Sequence, residues 1–174
     1  LLIDLHRWWP SEAGCQPLPE GWLHTPRAQR AAHCLRRLLT VDKSAQQGVW
    51  AIKDPRTSLL LPLWRQVADE LKLPLRLLLA IRDPAEVVVS LVGRDGGPAG
   101  MTQERAEALW VRHHRQLLMD GDGLPLQVVS YSGWFSDAEA QLEALASFFQ
   151  PKGFDRSSLE SARSCIRPEH RRSG

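Results

Sequence analysis

The chain has 174 residues, 43% of them hydrophobic, and a formal net charge of +2. That balance excludes a disordered polar chain and a strongly nucleic-acid-binding one, and the length suffices for one domain with a real core. No apolar run approaches the roughly 20 residues that a membrane-spanning helix needs.

Residues 1–25 are rich in Trp, Pro and Gly with little periodicity, and they read as an irregular segment. Thr25-Pro26 opens a helix through about Leu39, with Ala28, Ala31, Leu35, Leu38 and Leu39 on its apolar face. Gly48 precedes a strand at 49–53. The next helix has Leu60, Leu63, Trp64, Val67, Ala68 and Leu71 at helical spacing, and Pro62 places the start of its regular part. A strand at 75–81 is apolar on both faces apart from Arg76, as in a buried parallel strand.

Arg82 stands where that strand ends. Asp83 is a good N-cap, and Pro84 suits the first position of a helix running to about Gly93. A guanidinium facing a helix N-terminus is a natural anion site, because free N–H groups and the helix dipole both favour negative charge there. A surface salt bridge beside an ordinary N-cap is the competing reading. Residues 94–100 read as a flexible glycine-rich loop connecting two helices. Thr102 caps a long helix to Met119, on which Ala106, Leu109, Trp110, His113 and Leu117 share a face. His113 and His114 are adjacent and point apart, so they form no metal pair. A third strand covers 126–131. Ser136-Asp137 caps a helix to Phe149, and the tail from Ser157 starts helical and ends basic.

Strands alternating with helices predict an α/β fold with a parallel sheet flanked by helices. Right-handed crossovers put the strand ends carrying Lys53, Arg82 and Tyr131 on one edge, where open α/β sheets bind ligands. The three cysteines, Cys15, Cys34 and Cys165, are dispersed and odd in number. They indicate a reducing, cytoplasmic setting, and neither a disulfide framework nor a metal site. Seven tryptophans against one tyrosine read as core and edge packing, or as flat faces for a sugar or apolar acceptor.

Two segments, Val49 to Trp64 with its Lys53-Asp54-Pro55-Arg56 turn and Leu75 to Leu91 with Arg82 and Ser90, together resemble the bacterial-type sulfotransferase family. Trp110 with its helix and Val128-Val129-Ser130-Tyr131 sit in the family's order, so the resemblance spans roughly Val49 to the C-terminus. It implies a single sulfotransferase-like domain over residues 1–174, with a P-loop-NTPase-like sheet. The implied activity is transfer of a sulfuryl group from 3'-phosphoadenosine 5'-phosphosulfate (PAPS) to a hydroxyl or amine of a small-molecule or carbohydrate acceptor. By the same resemblance, Arg82 and Ser90 hold the cofactor's 3'-phosphate, and Arg167 or Arg171 closes over it. Lys53 faces the reaction centre, and Arg56 the acceptor. Asp54 is the nearest carboxylate, either a base or simply a partner of Arg56 or a helix cap.

The chain departs from the family in two places. No strand, Gly/Ser/Thr-rich loop and helix stand ready for the 5'-phosphosulfate, which reads as N-terminal truncation and leaves a non-catalytic nucleotide- or anion-binding remnant as the alternative. Where some members carry a His base after the Lys, this chain has Pro55. A nucleotide kinase would need a glycine-rich loop before Lys43-Ser44, and the preceding residues 38–42 contain no glycine. No basic–aromatic stripe marks a nucleic-acid module.

Overall fold

In the computed structural model, residues 1–8, 11–41, 51–150, 155–167 and 169 are described. Two short 3-10 turns, Glu12–Cys15 and Trp22–His24, break the N-terminal segment. They are followed by α1 (Pro26–Val41), α2 (Thr57–Leu71), β1 (Leu77–Ile81), α3 (Pro84–Ala99), α4 (Gln103–Asp120) and β2 (Leu126–Ser130). The chain continues through α5 (Gly133–Ser136), α6 (Ala138–Phe149) and α7 (Arg156–Ser164). The fold is α/β. Among the described residues β1 and β2 pair in parallel, with Leu77 opposite Leu126 and Ile81 opposite Ser130. Of the strand expected at 49–53, residues 49–50 lie outside the described residues, and 51–53 are not in a strand.

Two apolar clusters hold the helices. Ala28, Ala32 and Leu35 of α1 meet Leu63 and Val67 of α2, with Leu5 and Trp22 closing the end. The buried stripe of α1 thus runs through Ala32 and leaves Leu38 exposed, a small rotation from the expected face. Val88 of α3 packs with Met101 and with Ala106 and Leu109 of α4. Trp22 is buried in the first cluster with Trp64 against it, whereas Trp8 is exposed; Trp9 and Trp50 lie outside the described residues.

Three local expectations are corrected. Pro62 does not open α2 but sits inside it. A proline there removes one helical hydrogen bond, yet Leu59 and Leu61 are almost fully buried and anchor the turn before it. The glycine-rich stretch 94–100 is not a loop, because α3 runs through it to Ala99 and Gly100 ends it in a left-handed conformation at φ 60°. Helical glycine costs about 1 kcal/mol relative to alanine. Burial of Val88 and Met101, with Leu91 and Val92 against them, outweighs that local preference.

The third correction concerns β1, which is not buried on both faces. Leu77 is covered, while Leu78 is 46% exposed. In the parallel register Leu77, Leu79 and Val128 share one face, and Leu78, Ala80 and Val129 share the other. Gly121, just past α4, comes so close to Leu77 and to Leu61 of α2 that an added Cβ would lie 2.8 Å from a Leu77 methyl, 3.6 Å from a Leu61 methyl and 2.6 Å from the Leu117 carbonyl. Helix α6 covers β2, where Val129 is buried. The uncovered part of the first face forms a shallow apolar groove of about 520 Å³ between Leu79 and Ile81 and the Trp110, Val111, Leu118 and Met119 side of α4.

Candidate functional site

The β1–α3 junction forms as its residues dictate. Asp83 accepts a hydrogen bond from the Ala85 amide at 2.8 Å and caps α3, with Pro84 at its first position. This fixes Arg82 at the strand's end. The Tyr131 amide donates to the Ile81 carbonyl at 2.8 Å, which brings the ends of both strands together. The Arg82 guanidinium lies 4.6 Å from the centre of the Tyr131 ring, in cation–π contact. Its Nε–H donates to Glu86 Oε2 at 2.7 Å, and its side chain is only 18% exposed. The expected convergence of Arg82 and Tyr131 is therefore present.

Ser90 is exposed and makes no hydrogen bond among the described residues. Residues four apart share a helix face, so Glu86 and Ser90 form a stripe that begins at Arg82. A phosphate gripped by Arg82 and Ser90 must displace or bypass the Glu86 carboxylate.

The Lys53-Asp54-Pro55-Arg56 turn is a second, separate construction. Arg56 chelates Asp54: its Nε–H donates to Oδ1 at 2.8 Å, its Nη2 reaches Oδ2, and its own amide also binds Oδ1 at 2.9 Å. The hydrogen bonds from Arg56 hold the Asp54 carboxyl below the usual carboxylate range. So paired, Asp54 is a weak base whose geometry matches the partner-of-Arg56 reading. Lys53 is exposed beside it. Among the described residues, the side-chain contacts of Lys53, Asp54 and Arg56 stay within the turn, and none reaches Arg82.

What anchors this turn is His113, which the sequence places on one face of α4 with Ala106, Leu109, Trp110 and Leu117. The Ser58 hydroxyl donates to the Pro55 carbonyl at 2.9 Å. His113 Nδ1 lies 2.7 Å from Ser58 Oγ and 3.1 Å from the Pro55 carbonyl. The longer Pro55 contact is a hydrogen bond only when Nδ1 carries a proton, because a carbonyl oxygen only accepts, whereas the shorter Ser58 contact fits either direction.

Burial pushes the His113 imidazole below its ordinary pKa; the Pro55 hydrogen bond opposes this, and the nearby Arg112 and His114 reinforce it. The ring is therefore neutral at pH 7. Arg112 Nε and Nη2 are themselves buried without a hydrogen-bond partner among the described residues. No signal short of a tertiary contact reveals this role, because a lone His on an apolar helix stripe looks like packing.

Arg167 is exposed beyond α7 with no ion pair among the described residues, and Arg171 and Lys43-Ser44 lie outside them. Among the described residues, no group of three or more His, Cys, Asp or Glu is placed to hold a metal ion. No helix there is long and apolar enough to cross a membrane. Comparison of the chain with protein-family models, with curated proteins and with solved structures finds no match.

Proposed function

We propose that the chain is a sulfotransferase-like protein that binds PAPS and transfers its sulfuryl group to a hydroxyl or amine of a small-molecule or carbohydrate acceptor. The observation that carries this reading is the β1–α3 junction. There a mostly buried guanidinium at the end of a parallel strand meets a capped helix N-terminus, with the exposed Ser90 hydroxyl farther along α3. Those are the elements a phosphate monoester needs: a planar charged fork, a favourable dipole and a neutral donor. Lys53 and Arg56 supply cations for the transferring group, which gathers negative charge on the leaving phosphate oxygen. A general base removes the acceptor's proton.

One observation favours a second reading, nucleotide binding without transfer. Neither strand among the described residues leads into a glycine-rich loop and helix: β1 leads into Arg82-Asp83 and β2 into Tyr131-Ser132. Among the described residues, the 5'-phosphosulfate therefore has no receptor of the kind proposed for the 3'-phosphate. Hydrogen bonds to charged groups contribute about 1.5–3 kcal/mol each, so their loss weakens binding of the intact donor by orders of magnitude.

Calorimetric titration with adenosine 3',5'-bisphosphate, against adenosine 5'-monophosphate, tests both. Binding that requires the 3'-phosphate supports the site, and sulfuryl transfer from labelled PAPS separates enzyme from binder. Equal binding of both nucleotides, or of neither, refutes the assignment of Arg82.

A further inference from the structure

We propose that Arg112 of α4, together with Arg7 of the N-terminal segment, holds a tetrahedral oxyanion, inorganic phosphate or sulfate, and that this ion ties the N-terminal segment to α4. The site is independent of the sulfuryl-transfer reading. Its basis is the Arg112 guanidinium. The side chain is half-buried as a whole, yet Nε and Nη2 are out of contact with solvent and have no hydrogen-bond partner among the described residues. These two nitrogens form the side-on edge of the guanidinium, whose parallel N–H groups grip two oxygens of one oxyanion. Arginine does not shed its charge in proteins, so burial leaves a cation and two donors unsatisfied. An uncompensated buried charge is strongly destabilising, and a counter-ion offsets it.

No neighbouring side chain among the described residues supplies that counter-charge. Helix α4 packs against the Glu12–Cys15 turn, and the groups gathered there are mostly cationic. Arg105 stands two turns before Arg112 on the same face of α4. Glu12 is the carboxylate at this contact; it lies 3.8 Å from Arg105 Nη2, and its side chain is 90% exposed. Cys15 packs on the α3–α4 cluster, with its thiol directed to the Arg105 carbonyl at 3.8 Å. Burial raises the Cys15 pKa against the lowering by Arg105 and Arg112, so the thiol is neutral at pH 7 and adds no negative charge.

Arg7 is fixed by its own segment. Its Nε–H donates to the Pro17 carbonyl at 2.8 Å and its Nη1 to the His6 carbonyl at 3.0 Å. It has no carboxylate partner among the described residues. Burial first, and the nearby Arg7 second, push the Arg112 guanidinium below its ordinary pKa. Two guanidiniums that repel each other match an ion carrying two negative charges, where a carboxylate would offset only one. Because the Arg112 fork is closed to solvent, the ligand is a free ion enclosed when the N-terminal segment seats on α4, not a phosphate carried on a nucleotide.

Urea unfolding of the full chain tests this, after refolding into chloride to strip any ion carried through purification. Sodium phosphate, sulfate or acetate is then raised at constant ionic strength. General salt effects act on every variant alike, so the readings are differences from Arg112→Met, which keeps the stem and removes the fork. The wild-type midpoint is expected to rise with the logarithm of phosphate or sulfate concentration, as for a ligand that binds native chain alone, and to show no excess in acetate. In chloride alone Arg112→Met should be at least as stable as wild type, since an unpaired charge has left the interior. Arg112→Lys keeps a cation without the fork, and Arg7→Gln removes the second charge; in each, the phosphate Kd from the same curves should rise about tenfold or more. Arg82→Ala should keep the wild-type slope, which separates this ion from one at the β1–α3 junction. Equal phosphate slopes in wild type and Arg112→Met overturn the site, as does a slope lost in Arg82→Ala. An unchanged Kd in Arg112→Lys, or an equal excess in acetate, overturns the grip on a tetrahedral ion. Arg112→Met less stable than wild type in chloride overturns the need for a counter-ion, and the proposal with it.

Discussion

Arg82 and Glu86 make opposite predictions from one ion pair. In the free chain Arg82 Nε–H is bound to Glu86 Oε2 at 2.7 Å, with the arginine mostly buried and the glutamate 41% exposed. A 3'-phosphate on Arg82 forms charge-assisted hydrogen bonds worth about 1.5–3 kcal/mol. At 1.4 kcal/mol per tenfold, Arg82→Ala should weaken adenosine 3',5'-bisphosphate binding by roughly 10- to 140-fold. Glu86 competes for the same fork. A partly exposed pair of this kind contributes about 0.2–1 kcal/mol, so Glu86→Gln should tighten binding by about 1.4- to 5-fold. Calorimetry on both variants, with adenosine 5'-monophosphate as the control, reads the two signs. Weaker binding in Glu86→Gln means that Glu86 orients the guanidinium rather than blocking it, and the displacement argument fails. Unchanged binding in Arg82→Ala removes the anion site altogether.

Other consequences are as direct. Ser90→Ala removes one neutral donor and should cost about 0.5–1.5 kcal/mol of bisphosphate affinity, with little change in the urea midpoint because the exposed Ser90 side chain has no hydrogen-bond partner among the described residues; a large fall in stability contradicts this. Gly121→Ala drives a methyl against the Leu117 carbonyl and Leu77, and overpacking of this kind costs about 1–3 kcal/mol, readable as an earlier urea midpoint at unchanged slope. His113 gives a pH signature. Its folded pKa lies below the unfolded value of about 6.5, so below that pH the unfolded chain binds more protons. Stability should therefore rise with pH through the window beneath 6.5 and be flat in this contribution above it. Urea unfolding from pH 5 to 8 should show that slope in wild type and lose it in His113→Asn, and an identical slope in both contradicts the buried neutral ring.

Much of this was legible because it is local. Thr102 caps α4 as expected, accepting from the Arg105 amide, and Asp83-Pro84 opens α3. The alternation of strand and helix also announced a parallel pair with its ends together. The misreadings share one cause. Gly96-Gly97-Pro98 and Pro62 carry strong local signals for breaks, and in each case burial of neighbouring side chains, Val88 and Met101 or Leu59 and Leu61, overrides a cost of one to a few kcal/mol. β1 is apolar at every position, and no periodicity tells which face a neighbour will cover. His113 was invisible for a different reason, since its partners, Pro55 and Ser58, are more than fifty positions away.

The parallel pairing of β1 with β2 carries one more consequence, for the order in which the molecule forms. Joining Leu77 to Leu126 closes about fifty residues of chain, a loop-closure cost of roughly 3.4 kcal/mol before any constant term. Helices α3 and α4, neighbours in sequence and packed on each other, shorten that loop if they dock first, so the sheet is a late event. Arg82 and Tyr131 follow different strands and meet only once those strands pair. The anion site is therefore a property of the finished fold, and a ligand that engages it binds native chain alone, raising the unfolding midpoint with ligand concentration.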